Sequence, residues 1–157
     1  MKGIVDGFIT SDTVYGISPR VWKVVLAYMG VKSILDVGCG RGVSTSWFYL
    51  QGVKVQCVEG RHEAFHRNML LSILKEKDEN MDTSKVMIEH DFSLGPWWPE
   101  ETVDMVWCVN FLEQDNRNFE KNYLAALKKA AFIVVSYSGS RGGNDTDTHG
   151  TSIHFLI

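Results

Sequence analysis

Three closely spaced glycines and one later glutamate are the residues of this sequence best suited to bind a ligand. Gly38, Gly40 and Gly42 follow the apolar run Ser33–Val37, and Glu59 stands 21 residues after Gly38, at the end of a second β-branched run. Glycines permit a sharp turn and let a ligand lie against bare backbone, and the helix that follows offers unpaired N–H groups to an anionic group. A carboxylate at this spacing can accept hydrogen bonds from ribose hydroxyls. The pattern therefore predicts a nucleoside site.

A second pattern, His62-Glu63-Ala64-Phe65-His66, matches the H-E-x-x-H signature of zinc peptidases. Two histidines four residues apart on a helix share one face and can bind zinc, with Glu63 as the general base. Glu89 and Glu101 are third ligands only by default, because nothing in the sequence places either one beside the histidines. We therefore expect a solvent-facing histidine pair and predict no metal site.

The other reactive side chains have simpler interpretations. The segment 145–149 resembles a metal-binding run but lies in a Gly/Ser-rich stretch, which is typical of a solvated turn. Trp97 and Trp98 lie in a proline-bounded connection and are expected to pack beneath it rather than flank a ligand. The three cysteines are far apart and lie in apolar runs, which predicts reduced intracellular thiols and a small buried side chain for Cys39.

The hydrophobic pattern predicts strands that alternate with helices. Near-continuous apolar strands separated by helices indicate a parallel sheet covered on both faces. The predicted helices span 18–30, 47–50, 61–79 and 118–130, and the predicted strands span 33–37, 54–58, 86–89, 103–109 and 132–137. We treat residues 1–157 as a single domain with its core at 18–137, a flexible loop at 138–150 and an edge strand at 151–157.

The glycine spacing separates two kinds of nucleoside fold. Dinucleotide-binding folds favour G-x-G-x-x-G, whereas this sequence has G-x-G-x-G preceded by Asp36. The run 35–42 resembles the first motif of the class I S-adenosylmethionine-dependent methyltransferases, and the resemblance extends through 58–60, 90–92 and 104–114. It implies an α/β chain with a three-layer α/β/α Rossmann-like methyltransferase fold, a mostly parallel sheet of order 3-2-1-4-5, and a C-terminal strand pair that is incomplete or missing.

The resemblance also implies which residues bind the cofactor S-adenosylmethionine. Asp36 and the turn Gly38, Cys39 and Gly40 would hold the methionine end, and Glu59 with Gly60 would bind the ribose. Asp91 and Phe92 would bind the adenine, whereas Asn110 and Phe111 would face the cofactor and the acceptor. No catalytic residue is identified, because methyl transfer needs a base only when the acceptor must lose a proton. The candidates for that base are His90, Glu113, Asp115 and His149.

The charge distribution bears on the acceptor. Residues 82–120 hold nine acidic side chains against two basic ones, although the whole chain has a formal net charge of −3. This segment includes the third and fourth strand ends, where the acceptor is expected to bind. We therefore predict a small, neutral or cationic acceptor and no binding to nucleic acid. The sequence has no apolar run long enough to span a membrane and no secretory signal, which predicts a cytoplasmic protein without membrane contact.

Three other functions stay open at this stage. They are a nicotinamide-dependent oxidoreductase, a zinc hydrolase, and a non-catalytic or truncated module that only binds S-adenosylmethionine. The third alternative arises because only 20 residues follow Tyr137, fewer than a complete acceptor-binding wall needs. An apolar strand at 151–157 would leave an exposed sheet edge, which predicts a homodimer through that strand.

Overall fold

The computed structural model describes residues 6–10, 13–17, 19–109, 111–112, 116–138 and 151–156. Two strands that the hydrophobic pattern does not predict form a separate N-terminal hairpin: β1 (Asp6–Thr10) and β2 (Thr13–Ile17). The remaining elements are α1 (Pro19–Met29), β3 (Ser33–Val37), α2 (Val43–Leu50), β4 (Lys54–Glu59), α3 (His62–His66), α4 (Met69–Lys77), β5 (Met87–Glu89), β6 (Val103–Cys108), α5 (Glu120–Leu127), β7 (Ala130–Ser138) and β8 (Thr151–Leu156).

The central sheet has the strand order β5-β4-β3-β6-β7-β8. The first five strands are parallel, and in chain order they form the predicted arrangement 3-2-1-4-5, which confirms the fold class. β8 pairs antiparallel with β7 and lies within the segment predicted as an edge strand. The strand order reverses between β3 and β6, and ligands of open α/β sheets bind in the crevice that such a reversal leaves.

Alternating side chains of the strands enter two cores, one on each face of the sheet. In β3, Ile34 joins the first core and Leu35 the second, and in β6 Trp107 and Val106 divide in the same way. Helices α1, α2 and α4 cover the first core, whereas α5 covers the second. The sheet is therefore the middle of three layers. No helix in the described ranges is long and apolar enough to cross a membrane.

The prediction of one helix over 61–79 is wrong, because the helix is interrupted at Asn68 and the segment forms α3 and α4. Asn68 has an extended backbone, with φ −70° and ψ 132°, and its side chain accepts a hydrogen bond from the N–H of Leu70 at the start of α4. This N-cap replaces one of the backbone bonds that the first turn of a helix cannot make. The apolar periodicity continues across the break, so the pattern alone does not reveal it.

The last predicted helix is also shorter than expected. A 3-10 turn at Asn116–Phe119 precedes α5, and β7 begins at Ala130, so residues 128–130 do not continue the helix. The third strand begins at Met87 rather than at Val86. The predicted loop lies outside the described residues from 139 onward.

The prediction that the cysteines are reduced thiols is wrong for two of the three. Cys39 and Cys57 form a disulfide, with their Cα atoms 5.7 Å apart, whereas Cys108 keeps its thiol in the core. The parallel register of β3 and β4 sets Asp36 opposite Cys57, so Cys39, just past the end of β3, comes within reach of Cys57. The pairing depends on this register, which the spacing of the cysteines does not reveal.

Candidate functional site

The glycine-rich segment forms a tight turn between β3 and α2. Gly38, Gly40 and Gly42 have φ values of 71°, 56° and 71°, a region that favours glycine. The N–H groups of Gly38 and Cys39 both donate to the carbonyl of Val58, at 2.9 and 3.2 Å. The turn is therefore fastened to β4, and it leads directly into the first turn of α2.

Glu59 ends β4 and is buried beside this turn. Its Oε2 accepts a hydrogen bond of 2.7 Å from the N–H of Gly40. Its Oε1 accepts from the backbone N–H of Arg61 at 2.8 Å and from Nε of the same residue at 3.2 Å. The two sequence features predicted to form one site are thus joined by a direct contact.

Asp36 is buried one strand away from Glu59. Its Oδ2 accepts hydrogen bonds from the hydroxyls of Ser44, at 3.0 Å, and Thr45, both in the first turn of α2. Burial raises the pKa of Asp36 to about 7, and the two hydroxyl donors offset part of that effect. Asp36 therefore links the end of β3 to the N-terminus of α2.

Gly60 brings the ends of β4 and β5 together. A Cβ at Gly60 would lie 3.0 Å from both the Cα of Asp91 and the carbonyl oxygen of His90, and the N–H of His90 donates to the Glu59 carbonyl at 3.1 Å. The Asp91 carboxylate accepts from the N–H of Ser93 at 2.8 Å, and hydrogen bonding to Ser93 lowers the pKa of Asp91. Asp91 is therefore an exposed anion next to Gly60, the residue that follows Glu59.

An aromatic group closes the other side of the turn. Phe92 is buried, and its ring centroid lies 6.0 Å from that of Phe111 and 6.3 Å from that of Tyr123. Phe111 lies so close to Gly38 that a Cβ there would collide with its ring. Asn122 of α5 donates to the Phe92 carbonyl at 2.6 Å. These contacts bring Phe92 and Phe111 to the same end of the sheet as the glycine turn.

One of the four candidate bases lies within the described residues. Nε2 of His90 lies 2.9 Å from the carbonyl oxygen of Gly95, and the ring packs edge-on against Phe92. Because a carbonyl oxygen only accepts, Nε2 is the donor, and Nδ1 keeps the lone pair of the neutral ring. Asn110, Glu113, Asp115 and His149 lie outside the described residues.

Asn68 contacts the glycine turn, although none of the motifs identified in the sequence includes it. This buried side chain donates from Nδ2 to the carbonyl of Gly40 at 3.0 Å while its Oδ1 caps α4. A Cβ at Gly42 would collide with the Asn68 side chain, and the N–H of Met69 donates to the Arg41 carbonyl at 2.8 Å. Asn68 therefore holds the glycine turn in place through its contacts with Gly40 and Gly42. An asparagine directly before an apolar run is a helix-start signal and could have indicated the break.

The two tryptophans of the proline-bounded connection differ in their environment. Trp97 packs against the second core, as predicted, whereas Trp98 is half exposed. The predicted small buried side chain of Cys39 is buried, and it is held in the disulfide with Cys57.

The sequence itself matches no protein-family model and no curated protein. Solved structures match the fold. The 16S rRNA methylase RmtB has a TM-score of 0.56 at 16% identity, covering 86% of this chain and 59% of that one. An rRNA methylase from Escherichia coli has a TM-score of 0.55 at 14% identity, covering 86% and 60%. A SAM dependent methyltransferase from Aquifex aeolicus has a TM-score of 0.53 at 18% identity, covering 79% and 68%.

These similarities concern the fold, because the identities are low. The chain spans between 59% and 68% of the length of the three structures. In this chain the glycine turn and Glu59 lie where the strand order 3-2-1-4-5 reverses, as the resemblance in the sequence implies. The chain therefore has the fold of the class I S-adenosylmethionine-dependent methyltransferases.

Proposed function

We propose that this protein binds S-adenosylmethionine and transfers its methyl group to a small, neutral or cationic acceptor. The observation that carries the proposal is the buried contact between Glu59 and the N–H of Gly40, at the point where the strand order reverses. Open α/β sheets bind nucleoside ligands at this point, and a carboxylate there is suited to ribose hydroxyls.

The donors and acceptors present fit such a ligand. An ionised carboxylate has about four lone-pair positions, and the N–H of Gly40 and two N–H groups of Arg61 occupy three of them. One position is left for a ribose hydroxyl. The Arg61 side chain is 48% exposed, so it can withdraw its Nε and release a second position. Glu59 can therefore accept from both ribose hydroxyls while it keeps its bond to the turn.

The residues of the chain would then align the reacting atoms rather than react themselves. When bound, the cofactor supplies a methyl group on a sulfonium sulfur, which an acceptor can displace in line. The backbone of Gly38 and Gly40 would lie along the methionine portion, and Asp36 would keep the turn in place through α2. Asp91 and Phe92 would border the adenine. Of the four candidate bases, His90 is the one within the described residues, and its Nδ1 would accept a proton from the acceptor.

The acceptor class rests on charge. Residues 82–120, which include the ends of β5 and β6, carry a net excess of acidic side chains. A phosphate backbone would be repelled there, whereas a neutral or cationic small molecule would not. RmtB and the Escherichia coli protein are rRNA methylases, so RNA is the competing acceptor that must be tested. Tight binding of RNA that weakens steeply with salt would contradict the small-acceptor proposal.

Calorimetry with S-adenosylhomocysteine, the product form of the cofactor, tests the binding step. We expect micromolar binding to the wild type, weakened at least about tenfold in Asp36→Ala and Glu59→Gln, which corresponds to roughly 1.4 kcal/mol. Glu101→Gln is the matched control, because Glu101 is exposed and pairs with Lys54 in a surface ion pair. Absence of heat with a folded wild type, or equal affinity in all variants, would reject the proposal.

Turnover separates an enzyme from a binding module. Incubating the protein with methyl-labelled S-adenosylmethionine and a mixture of small amines and alcohols should transfer label to an acceptor. Binding of S-adenosylhomocysteine without any transfer would favour the non-catalytic module instead. The cytoplasmic location and the homodimer through β8 stay predictions, and size measurement in solution tests the second.

A further inference from the structure

Two histidines of α3 lie side by side at the surface. His62 and His66 are four residues apart, so they project from one face of the helix. Their rings meet edge to face, with centroids 4.2 Å apart. Both side chains are exposed, so neither is held in the core by packing. The pair therefore offers two imidazole nitrogens as potential metal ligands, and the proposed methyl transfer does not use them.

The sheet brings a carboxylate to this pair. β5 runs parallel to β4 with Glu89 opposite Glu59, and α3 begins three residues after Glu59. Glu89 therefore reaches the same edge of the sheet as α3. Its Oε1 lies 2.6 Å from Nδ1 of His62. One ligand atom from each of His62, His66 and Glu89 lies within 4.8 Å of the other two.

We propose that His62, His66 and Glu89 form a binding site for zinc or a related late first-row divalent ion, with a fourth position open to water. Two imidazoles and one carboxylate are a ligand set that zinc accepts at about 2.0–2.2 Å, which puts ligand atoms about 3.3 Å apart in a tetrahedron. For binding, ligand atoms as far as 4.8 Å apart must approach one another, and the 2.6 Å contact between His62 and Glu89 must lengthen. The side chains of His62 and Glu89 are 77% and 40% exposed, so they can rotate to do so.

The sequence alone predicts no metal here, because residue spacing places no third ligand beside the two histidines. The pairing of β5 with β4 supplies one, since it places Glu89 beside residues 23 to 27 positions earlier in the chain. Among the residues whose side chains the structure describes, this is the one group of three histidine, cysteine or acidic residues close enough to hold an ion.

Glu63 separates this site from a zinc peptidase. In H-E-x-x-H peptidases the glutamate acts as the general base on water bound to the metal. Here the Glu63 carboxylate pairs with Arg67 on the same helix turn, at 3.0 Å. It is directed to that partner rather than to the histidine pair. The site therefore binds an ion without the arrangement needed for peptide hydrolysis.

An ion at this site would also affect Glu59, the proposed ribose acceptor. The N–H of Phe65 donates to the Arg61 carbonyl at 2.9 Å, and Arg61 in turn binds Glu59. An ion that joins α3 to β5 would hold the backbone N–H of Arg61 against Glu59 and leave the Arg61 side chain free to move. We expect zinc to stabilise α3 and the end of β4 as one unit.

Zinc titration of the metal-stripped full chain in a non-chelating buffer tests the proposal. We expect one zinc per chain with a dissociation constant of about 10 μM or lower. His62→Ala and His66→Ala should each weaken binding at least about tenfold, Glu89→Gln should weaken it measurably, and Glu63→Gln should bind as the wild type does. Circular dichroism of each variant checks that these exposed substitutions leave the fold intact.

The zinc titration can contradict the site independently of any binding of S-adenosylmethionine. Zinc that binds the His62→Ala/His66→Ala double variant as tightly as the wild type is held elsewhere, and this result would overturn the site. So would a wild type that binds no zinc at about 100 μM of the metal. Hydrolysis of peptides that Glu63→Gln abolishes would overturn the exclusion of a peptidase.

Discussion

The backbone N–H of Gly40 donates a hydrogen bond of 2.7 Å to Oε2 of Glu59, which ties the glycine turn to the end of β4. Both groups are buried, and a bond from an N–H to an ionised carboxylate is stronger than one between neutral groups. Glu59 is therefore a support of the turn as well as the proposed ribose acceptor. Variants of Glu59 must be tested for folding as well as for ligand affinity.

Asp36 should make the stability of the protein depend on pH near neutrality. Its pKa rises from 3.8 to about 7 on folding, so between these values the folded protein keeps a proton that the unfolded chain has released. The free energy of unfolding should therefore fall as pH rises through this window and level off above it. Asp36→Asn keeps an oxygen acceptor for Ser44 and Thr45 but carries no charge to bury.

Urea unfolding at about pH 5 and about pH 8 measures this effect. The stability of the wild type relative to Asp36→Asn should drop by about 1 kcal/mol or more between the two pH values, because each unit of pKa shift corresponds to about 1.4 kcal/mol. A difference between the two proteins that is the same at both pH values would contradict the raised pKa of Asp36.

Gly38→Ala should destabilise the protein for two separable reasons. Gly38 has a φ of 71°, which costs an alanine about 1–2 kcal/mol, and the new Cβ would collide with the ring of Phe111. Overpacking of that kind costs about 1–3 kcal/mol. The variant should also bind S-adenosylhomocysteine more weakly, because the turn must shift.

A double-mutant cycle with Phe111→Ala separates the cost of the backbone strain at position 38 from the cost of the collision with Phe111. In the Phe111→Ala background the collision is absent, so Gly38→Ala should cost only the backbone strain. The measured free energies of unfolding should therefore be non-additive by about 1 kcal/mol or more. Additive costs would show that Phe111 does not restrict the Cβ at Gly38.

The fold was predictable because its signals are local. Each parallel strand is a short apolar run, and the glycines after β3 and the acid at the end of β4 mark the strand ends in the sequence itself. The contact between Gly40 and Glu59 follows from those marks once the two strands pair in parallel. The same local signals predict the nucleoside site, which stays a prediction.

The features that escaped prediction depend on pairing between distant segments. Asn68 interrupts an apolar pattern that continues on both sides, and what holds the break is a bond to the Gly40 carbonyl, 28 residues earlier. The disulfide of Cys39 with Cys57 needs the register of β3 and β4. Glu89 meets His62 only because β5 adds to the edge of β4. Sequence spacing contains none of these registers.

Asn68→Ala should destabilise the protein and weaken cofactor binding together. The substitution removes the N-cap of α4 and the donor to the Gly40 carbonyl in a fully buried position. Loss of a cap costs about 1 kcal/mol and a buried acceptor left without its donor costs about 1–3 kcal/mol. Thermal unfolding and calorimetry with S-adenosylhomocysteine measure the two effects.

Two further variants show whether the effect belongs to the turn. Asn68→Asp keeps the oxygen that caps α4 but loses the N–H that Gly40 receives, so it should weaken ligand binding although α4 stays capped. Asn80→Ala is the matched control, because Asn80 is exposed in the connection after α4 and should change neither measurement. Normal affinity in Asn68→Asp would show that Asn68 acts only as a helix cap.

The disulfide predicts a definite thiol count. Of the three cysteines, Cys39 and Cys57 are paired and Cys108 keeps its thiol. Protein prepared without reductant and then denatured should therefore take up one equivalent of an alkylating reagent, and three after reduction. The Cys108→Ala variant should take up none before reduction. Three equivalents without reduction would contradict the disulfide.

Reduction should also lower the stability of the site. The disulfide joins residues 18 positions apart in the sequence. A disulfide that closes a loop of this length typically stabilises the folded protein by about 2–4 kcal/mol. Because the disulfide fastens the glycine turn to β4 beneath Asn68, its loss removes one of the links that hold the turn in place. The melting temperature and the affinity for S-adenosylhomocysteine should both fall on adding reductant, whereas a Cys39→Ala/Cys57→Ala variant should respond to reductant in neither measurement. If the wild type and this variant respond alike, the effect of the reductant does not arise from the disulfide.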